Sequence, residues 1–405
     1  MIRRDPPGTI ATLGQARKIY DEETAKFAHL LRTSPHYAKS KTSGEQAEFL
    51  IEQTRAVAFN LLISPLPHYP KLLVDTMFGP NLFPVWGPNP DFKYGWTWLD
   101  GRKRYRLWGE RGTTDWASFQ VASGFWGDPQ LKTLGDFTFD DMEFSSDGSY
   151  EIVMGGERCP GNWIPLDPES GENFIFLRRA MLDWEIEKVA TVRIEMIDEP
   201  DEPFHLDETR LATRIARASV SMVNALIQYP LTLSNLALDA VGMHRFHVVG
   251  GSSEQNDGYN PGAYYAYLVY QLQAGQAVVV EAKLANPRYW GIHATDIWLQ
   301  SLDYVFHQAS LNGAQAMVDA DGIVRFVLSL EDPGVPNWLD PVGTDYGMLQ
   351  FRSYYGEAQP QISARVVPLE SVRTALAPDT PVISAAQRQT AMRLRARSLL
   401  KHYSS

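Results

Sequence analysis

At 405 residues the chain is too long for one ordinary hydrophobic core, so two or three domains are expected. A net charge of −11 argues against a nucleic-acid partner, because affinity for phosphates comes from Lys and Arg, and a single cysteine, Cys159, excludes an intrachain disulfide. The N-terminus MIRRDPPGTIATLGQ shows no apolar h-region and no run approaches a membrane span, so a cytoplasmic protein without a membrane span is expected.

Residues 1–79 are predicted to form an N-terminal helical segment. Its clearest helix covers 43–63: Ser43-Gly44-Glu45-Gln46 has the form of a capping box, and Ala47, Leu50, Ile51, Val57, Ala58 and Leu61 follow as an apolar stripe. Pro65 and Pro67 end it. Residues 80–198 are predicted as a first antiparallel β-sandwich, with period-two alternation at Tyr150, Ile152 and Met154 and turns at Asp147-Gly148 and Pro160-Gly161. The acidic, proline-bearing stretch 198–203 opens a connector and second helical segment over 199–245, whose helix runs from about Asp207 to Gln228 before Pro230. Residues 246–370 repeat the sandwich pattern, with Val324, Phe326 and Leu328 on one face. A C-terminal segment, 371–405, ends in a basic helix from Ser384 to His402, predicted to dock through Ala385, Met392, Ala396, Leu399 and Tyr403.

The two halves share an ordered set of matches at an offset of 171 to 176 residues. Asn89-Pro90 with Tyr94-Gly95-Trp96 matches Asn260-Pro261 with Tyr265-Ala266-Tyr267, and Asp115-Trp116 matches Tyr289-Trp290. Asp147-Gly148 matches Asp321-Gly322, the Asn162-Trp163 corner matches Asn337-Trp338, and Arg178 matches Arg352. Such a series indicates an internal duplication. The predicted fold is therefore mainly β with accessory helices (α+β): two tandem antiparallel β-sandwich or jelly-roll domains, each preceded by a helical segment.

From Tyr289 to Tyr355, Tyr289-Trp290, Asp321-Gly322, Asp332-Pro333-Gly334, Asn337-Trp338-Leu339 and Phe351-Arg352 together resemble the DUF1214 pattern. The resemblance covers about the last third of the chain. It implies a bacterial protein with a β-sandwich at this end, and implies no particular chemistry. The first half is a divergent copy of the same unit rather than the partner domain usual upstream in that family.

Residues kept in both copies, Trp163, Trp338, Arg178 and Arg352, are predicted to be fold determinants, on the ground that two copies seldom keep two active sites. Each arginine is expected to lay its stem on the sheet and to pair with a carboxylate such as Glu157 or Asp332. Chemistry is sought where the copies differ. His293, matched to Phe119, lies near Asp296 and Tyr304, and these three are the candidate acid–base residues. Trp96, Trp98, Trp116, Trp126, Trp298 and His307 are the candidate ligand-binding residues. No metal or organic cofactor is expected. His244 and His247 lie three apart in an extended stretch and so face opposite ways, and no phosphate-binding, zinc-protease or serine-elbow motif is present. The candidate functions are a cofactor-independent hydrolase, lyase or isomerase acting on an apolar or aromatic small molecule; a carbohydrate-binding or carbohydrate-active sandwich; and a non-catalytic assembly scaffold. Self-association into a homo-oligomer is left open.

Overall fold

The computed structural model describes residues 12–64, 70–74, 84–128, 131–198, 207–226, 230–250 and 262–403. Two helices open the chain, α1 (Leu13–Thr33) and α2 (Lys41–Ala58). The capping box of α2 lies three residues earlier than the sequence suggested: Ser40 and Ser43, not Ser43 and Gln46, exchange side-chain and backbone hydrogen bonds. The Ser43 hydroxyl also donates to the carbonyl of His36, which fixes the bend between α1 and α2.

The first unit follows as β1 (Leu73–Val74), β2 (Phe92–Leu99), β3 (Tyr105–Glu110), β4 (Ala117–Ser123), β5 (Lys132–Thr138), β6 (Ser149–Met154), β7 (Asn162–Ile164), β8 (Asn173–Ala180) and β9 (Arg193–Met196). Helices α3 (Glu208–Leu226) and α4 (Thr232–Val241) separate it from the second. That unit comprises β10 (Phe246–Gly250), β11 (Ala263–Gln271), β12 (Gln276–Lys283), β13 (Tyr289–Asp296), β14 (Ser310–Asn312), β15 (Ile323–Ser329), β16 (Trp338–Leu339), β17 (Tyr346–Tyr354) and β18 (Gln361–Pro368). A single turn, α5 (Val372–Ala375), and a long helix, α6 (Ala385–Leu400), complete the chain.

The duplication is visible in strand order. The first unit pairs a five-stranded sheet β1-β2-β8-β4-β5 with a four-stranded sheet β7-β6-β3-β9. The second has β10-β11-β17-β13-β14 over β16-β15-β12-β18, the same two orders moved on by nine strands. Even the corner matches: Asn162 donates to the carbonyls of Glu143 and Glu151 as Asn337 does to those of Met317 and Arg325. The indoles of Trp163 and Trp338 each donate to a carbonyl at 3.1 Å, of Gly155 and Ser329. These corner residues are fold determinants, as expected.

Strand register corrects the sequence alignment by one residue. Arg178 stands opposite Tyr94 and Ser118, and Arg352 opposite Tyr265 and Gly291. The counterpart of His293 is therefore Gln120, not Phe119, and that of Trp116 is Tyr289.

Period-two alternation gives each five-stranded sheet two different faces. One face packs on its own four-stranded partner, with Leu107, Phe119, Ile152 and Leu177 in the first unit and Val280, Ile292, Phe326 and Phe351 in the second. The other faces of both sheets, carrying Tyr94, Trp96, Phe176, Tyr265, Tyr267 and Tyr354, enter one shared core together with α1, α2, α3 and α4. The units thus meet across their large sheets. Ring contacts span the junction, Phe92 lying 5.1 Å from Tyr289 and 5.7 Å from Tyr354. Arg288 bridges it with ion pairs to Asp115 at 2.7 Å and Asp140 at 2.5 Å.

Helix α6 docks as predicted, but not by an apolar stripe alone. Ala396 and Leu399 are buried, and so are Arg388 and Arg395, whereas Met392 is half-buried and Ala385 exposed. Arg388 pairs with Asp332 and donates to Gln308, each at 2.9 Å. Arg395 donates to the Tyr304 carbonyl and the Ser310 hydroxyl and stacks over Trp184, its centre 4.4 Å from the ring. Among the described residues no helix is long and apolar enough to cross a membrane.

Candidate functional site

A cleft of about 680 Å³, its open mouth included, lies in the shared core between the two large sheets. Its wall comes from equivalent positions of both copies: Tyr94, Phe176 and Arg178 on β2 and β8, and Tyr265, Gln350 and Arg352 on β11 and β17. Trp86, Trp126, Tyr267 and Tyr354 complete a set of seven aromatic side chains, and Val85, Leu233 and Leu299 add aliphatic surface. Period-two geometry explains the set, because residues two apart on β2, β8, β11 and β17 all face the junction.

Two loops close one side. Trp86 and Leu299 adopt left-handed backbone conformations, φ 64° and 62°, that side chains rarely take outside functional or tightly held turns. The Gly87 N–H donates to the Leu299 carbonyl at 2.6 Å, and the Gly87 carbonyl accepts from Arg352 at 2.5 Å. A side chain at Gly87 would lie 3.0 Å from the Gln350 amide, which accounts for glycine there. The Ser301 N–H and hydroxyl hold the same loop through the carbonyls of Pro84 and Pro88.

The polar groups of the cleft are unusual. Arg178 and Arg352 are buried, 8% and 7% exposed, and among the described residues neither forms an ion pair. Arg178 donates to the Gln120 amide oxygen at 3.0 Å and lies over the Phe176 ring; Arg352 donates to the Gln350 amide oxygen at 2.6 Å. The expected pairing with Glu157 or Asp332 is not made, and Asp332 binds Arg388 instead. The Tyr94 hydroxyl accepts from the Asn89 N–H at 2.8 Å, and the hydroxyls of Tyr265 and Tyr354 lie 3.1 Å apart.

Of the nine residues singled out from sequence, Trp126 lines the cleft. Trp96 and Trp116 are shared-core residues, Trp116 packed between Phe92 and Tyr354. Trp98 donates to the Leu61 carbonyl and Trp298 to the Ser43 carbonyl, each at 2.7 Å, tying helical segments to the sheets. Tyr304 packs under α6, its hydroxyl 3.3 Å from that of Tyr403, and His307 lies at the surface 2.8 Å from Asp340. The proposed triad is not assembled. His293 and Asp296 point to opposite faces of β13, and no hydrogen bond joins either to Tyr304.

Asp296 has a different task. Its carboxylate accepts from the N–H groups of Trp298 and Gln300 and from the Gln300 amide, at 2.9, 2.8 and 2.6 Å, and so shapes the turn that presents Leu299 to the cleft. Burial pushes the carboxyl up from 3.8 to about 7 against those hydrogen bonds. The folded chain therefore holds this proton more tightly than the unfolded chain. The resulting stability is full below about pH 4 and lost as pH rises through about 7, an effect of roughly 4 kcal/mol at most. Asp296→Asn cannot ionise and is expected to gain stability relative to the native chain between about pH 4 and pH 8. Denaturant melts at both pH values would show it, and a gap that does not widen contradicts the assignment. His293, held well below its ordinary value by burial and by Arg352, acts in the opposite direction as pH falls, but equally in both chains.

No protein-family model matches the chain, and no curated protein matches it. Among solved structures, an uncharacterised protein of Burkholderia cenocepacia superposes with a TM-score of 0.80 at 24% identity, covering 88% of this chain and 98% of its own. A protein of Vibrio parahaemolyticus covers 87% of this chain at 12% identity and a TM-score of 0.44. The first similarity shows the fold: a helix-capped tandem of antiparallel β-sandwiches.

Proposed function

We propose that the protein binds one small molecule with an apolar or aromatic body in the cleft between its two units. The observation that supports this is the wall itself, seven aromatic side chains converging from both copies on one opening. Rings bring large contact area at little entropic cost, and interfaces between units are where such pockets concentrate. Among the described residues the lining contains no carboxylate, imidazole, thiol or aliphatic hydroxyl. A binding role is therefore favoured over the acid–base catalysis expected from His293 and Asp296. A glycosidase would need two carboxylates across the cleft, and the wall offers arginines instead.

A thermal-shift panel of aromatic compounds, alkyl compounds and oligosaccharides tests the proposal. A compound at a hundred times its Kd should stabilise the chain by ~2.7 kcal/mol. Ring compounds are expected to raise the Tm, and Tyr267→Ala and Trp126→Ala to remove the shift while the variants stay folded by circular dichroism. Shifts from oligosaccharides alone, or ring-compound shifts that survive both substitutions, would overturn it.

A further inference from the structure

Building on the proposed cleft, we infer that its ligand is a carboxylate, held by its charged end between Arg178 and Arg352 with its apolar body against the rings. A guanidinium stays charged at any physiological pH and presents five N–H donors. Among the described residues the protein supplies only neutral oxygens to the two groups, the amides of Gln120 and Gln350 and one backbone carbonyl. Among the described residues, Nη1 of both arginines and Nε of Arg352 have no acceptor. A buried cation left so is costly unless something else completes it. Asp136 on the edge strand β5 feels the charge of Arg178, but burial pushes its carboxyl up, and no ion pair between the two is found among the described residues. Both guanidiniums line the same cleft, on equivalent strands of the two copies.

A carboxylate fits this arrangement in three respects. Its two oxygens can take N–H groups from both sides, a planar fork suits its geometry, and one of its oxygens can face each guanidinium. A phosphoryl group brings a tetrahedral third oxygen, one more than the two facing arginines address.

Calorimetric titration of the full chain with phenylacetate, phenylacetamide and benzylphosphonate separates the alternatives. Phenylacetate should bind at least about tenfold tighter than its neutral amide, since hydrogen bonds to a charged group are the stronger kind. That preference should collapse in Arg178→Gln and Arg352→Gln. Equal affinity for acid and amide, or a preference that survives both substitutions, overturns the inference while leaving an apolar cleft in place. Tighter binding of benzylphosphonate than of phenylacetate overturns the choice of carboxylate. Failure of all three compounds, with the thermal-shift panel also silent, removes the cleft proposal and this inference with it. Should the variants not fold, the Arg352 Nε–H resonance of the native chain serves instead. Phenylacetate should shift it and phenylacetamide should not, and an unmoved resonance at saturation counts against the inference.

Discussion

Asp91→Ala is expected to destabilise the chain by roughly 3–5 kcal/mol, the usual cost of breaking a buried polar cluster from one side. Asp91 immediately precedes β2 and is buried in the junction between the units. Its carboxylate accepts from the Trp184 indole at 3.0 Å, the Asn312 amide at 2.6 Å and the Tyr289 hydroxyl at 2.8 Å. Two of those donors belong to the second unit, so the aspartate joins the copies chemically as well as by packing. Burial pushes its carboxyl up to about 6, while the three donors and the positive charge of Arg395 favour ionisation. Alanine would leave the Trp184 indole without its acceptor. Asp91→Asn should cost far less. Its oxygen can keep the Trp184 and Asn312 bonds, and its amide can donate to the Tyr289 hydroxyl, which then donates to Asn89. Denaturant unfolding followed by tryptophan fluorescence would rank the three chains. Alanine and asparagine variants of equal stability would contradict the role given to the carboxylate.

Removing α6 is the second large effect. A chain ending at Pro381 loses Leu399, which is fully buried, together with the buried Arg388 and Arg395. Their combined burial and charge-assisted hydrogen bonds make a loss of at least about 4 kcal/mol the expected result. The helix also spans the units. Arg388 and Arg395 engage the second, while Lys401 donates to the Glu185 carbonyl and the Lys93 ammonium donates to the His402 carbonyl in the reverse direction. Thermal unfolding of the truncated chain should begin well below that of the full chain. An unchanged midpoint would show α6 to be an ornament.

These contacts also show which parts of the molecule were legible in the sequence. The duplication was, because turns and corners impose local requirements: Asp-Gly pairs at the β5–β6 and β14–β15 connections, and an Asn-Trp corner with the same four hydrogen bonds in each copy. The sandwich class followed from alternation. The site did not. Sequence alone makes Arg178 and Arg352 fold determinants, because two copies seldom keep two active sites, whereas the copies face each other across one cleft lined by both arginines. Sequence carries no signal for how two units dock, so a residue needed twice for one cavity looks like a residue needed once in each fold. A clue was nonetheless present. Arginine within an apolar strand, with no acidic residue opposite, is costly to bury without a reason. His293 and Asp296 misled for a different cause: neighbours in a strand are near in sequence and point apart in space.

If both copies serve the single site proposed here, binding stoichiometry will say so. Calorimetric titration of the native chain with a bound ring compound should give one ligand per chain. Tyr94→Ala in the first unit and Tyr267→Ala in the second should each weaken that same event. Two ligands per chain, or a substitution in one unit that leaves a full-affinity site in the other, would contradict it.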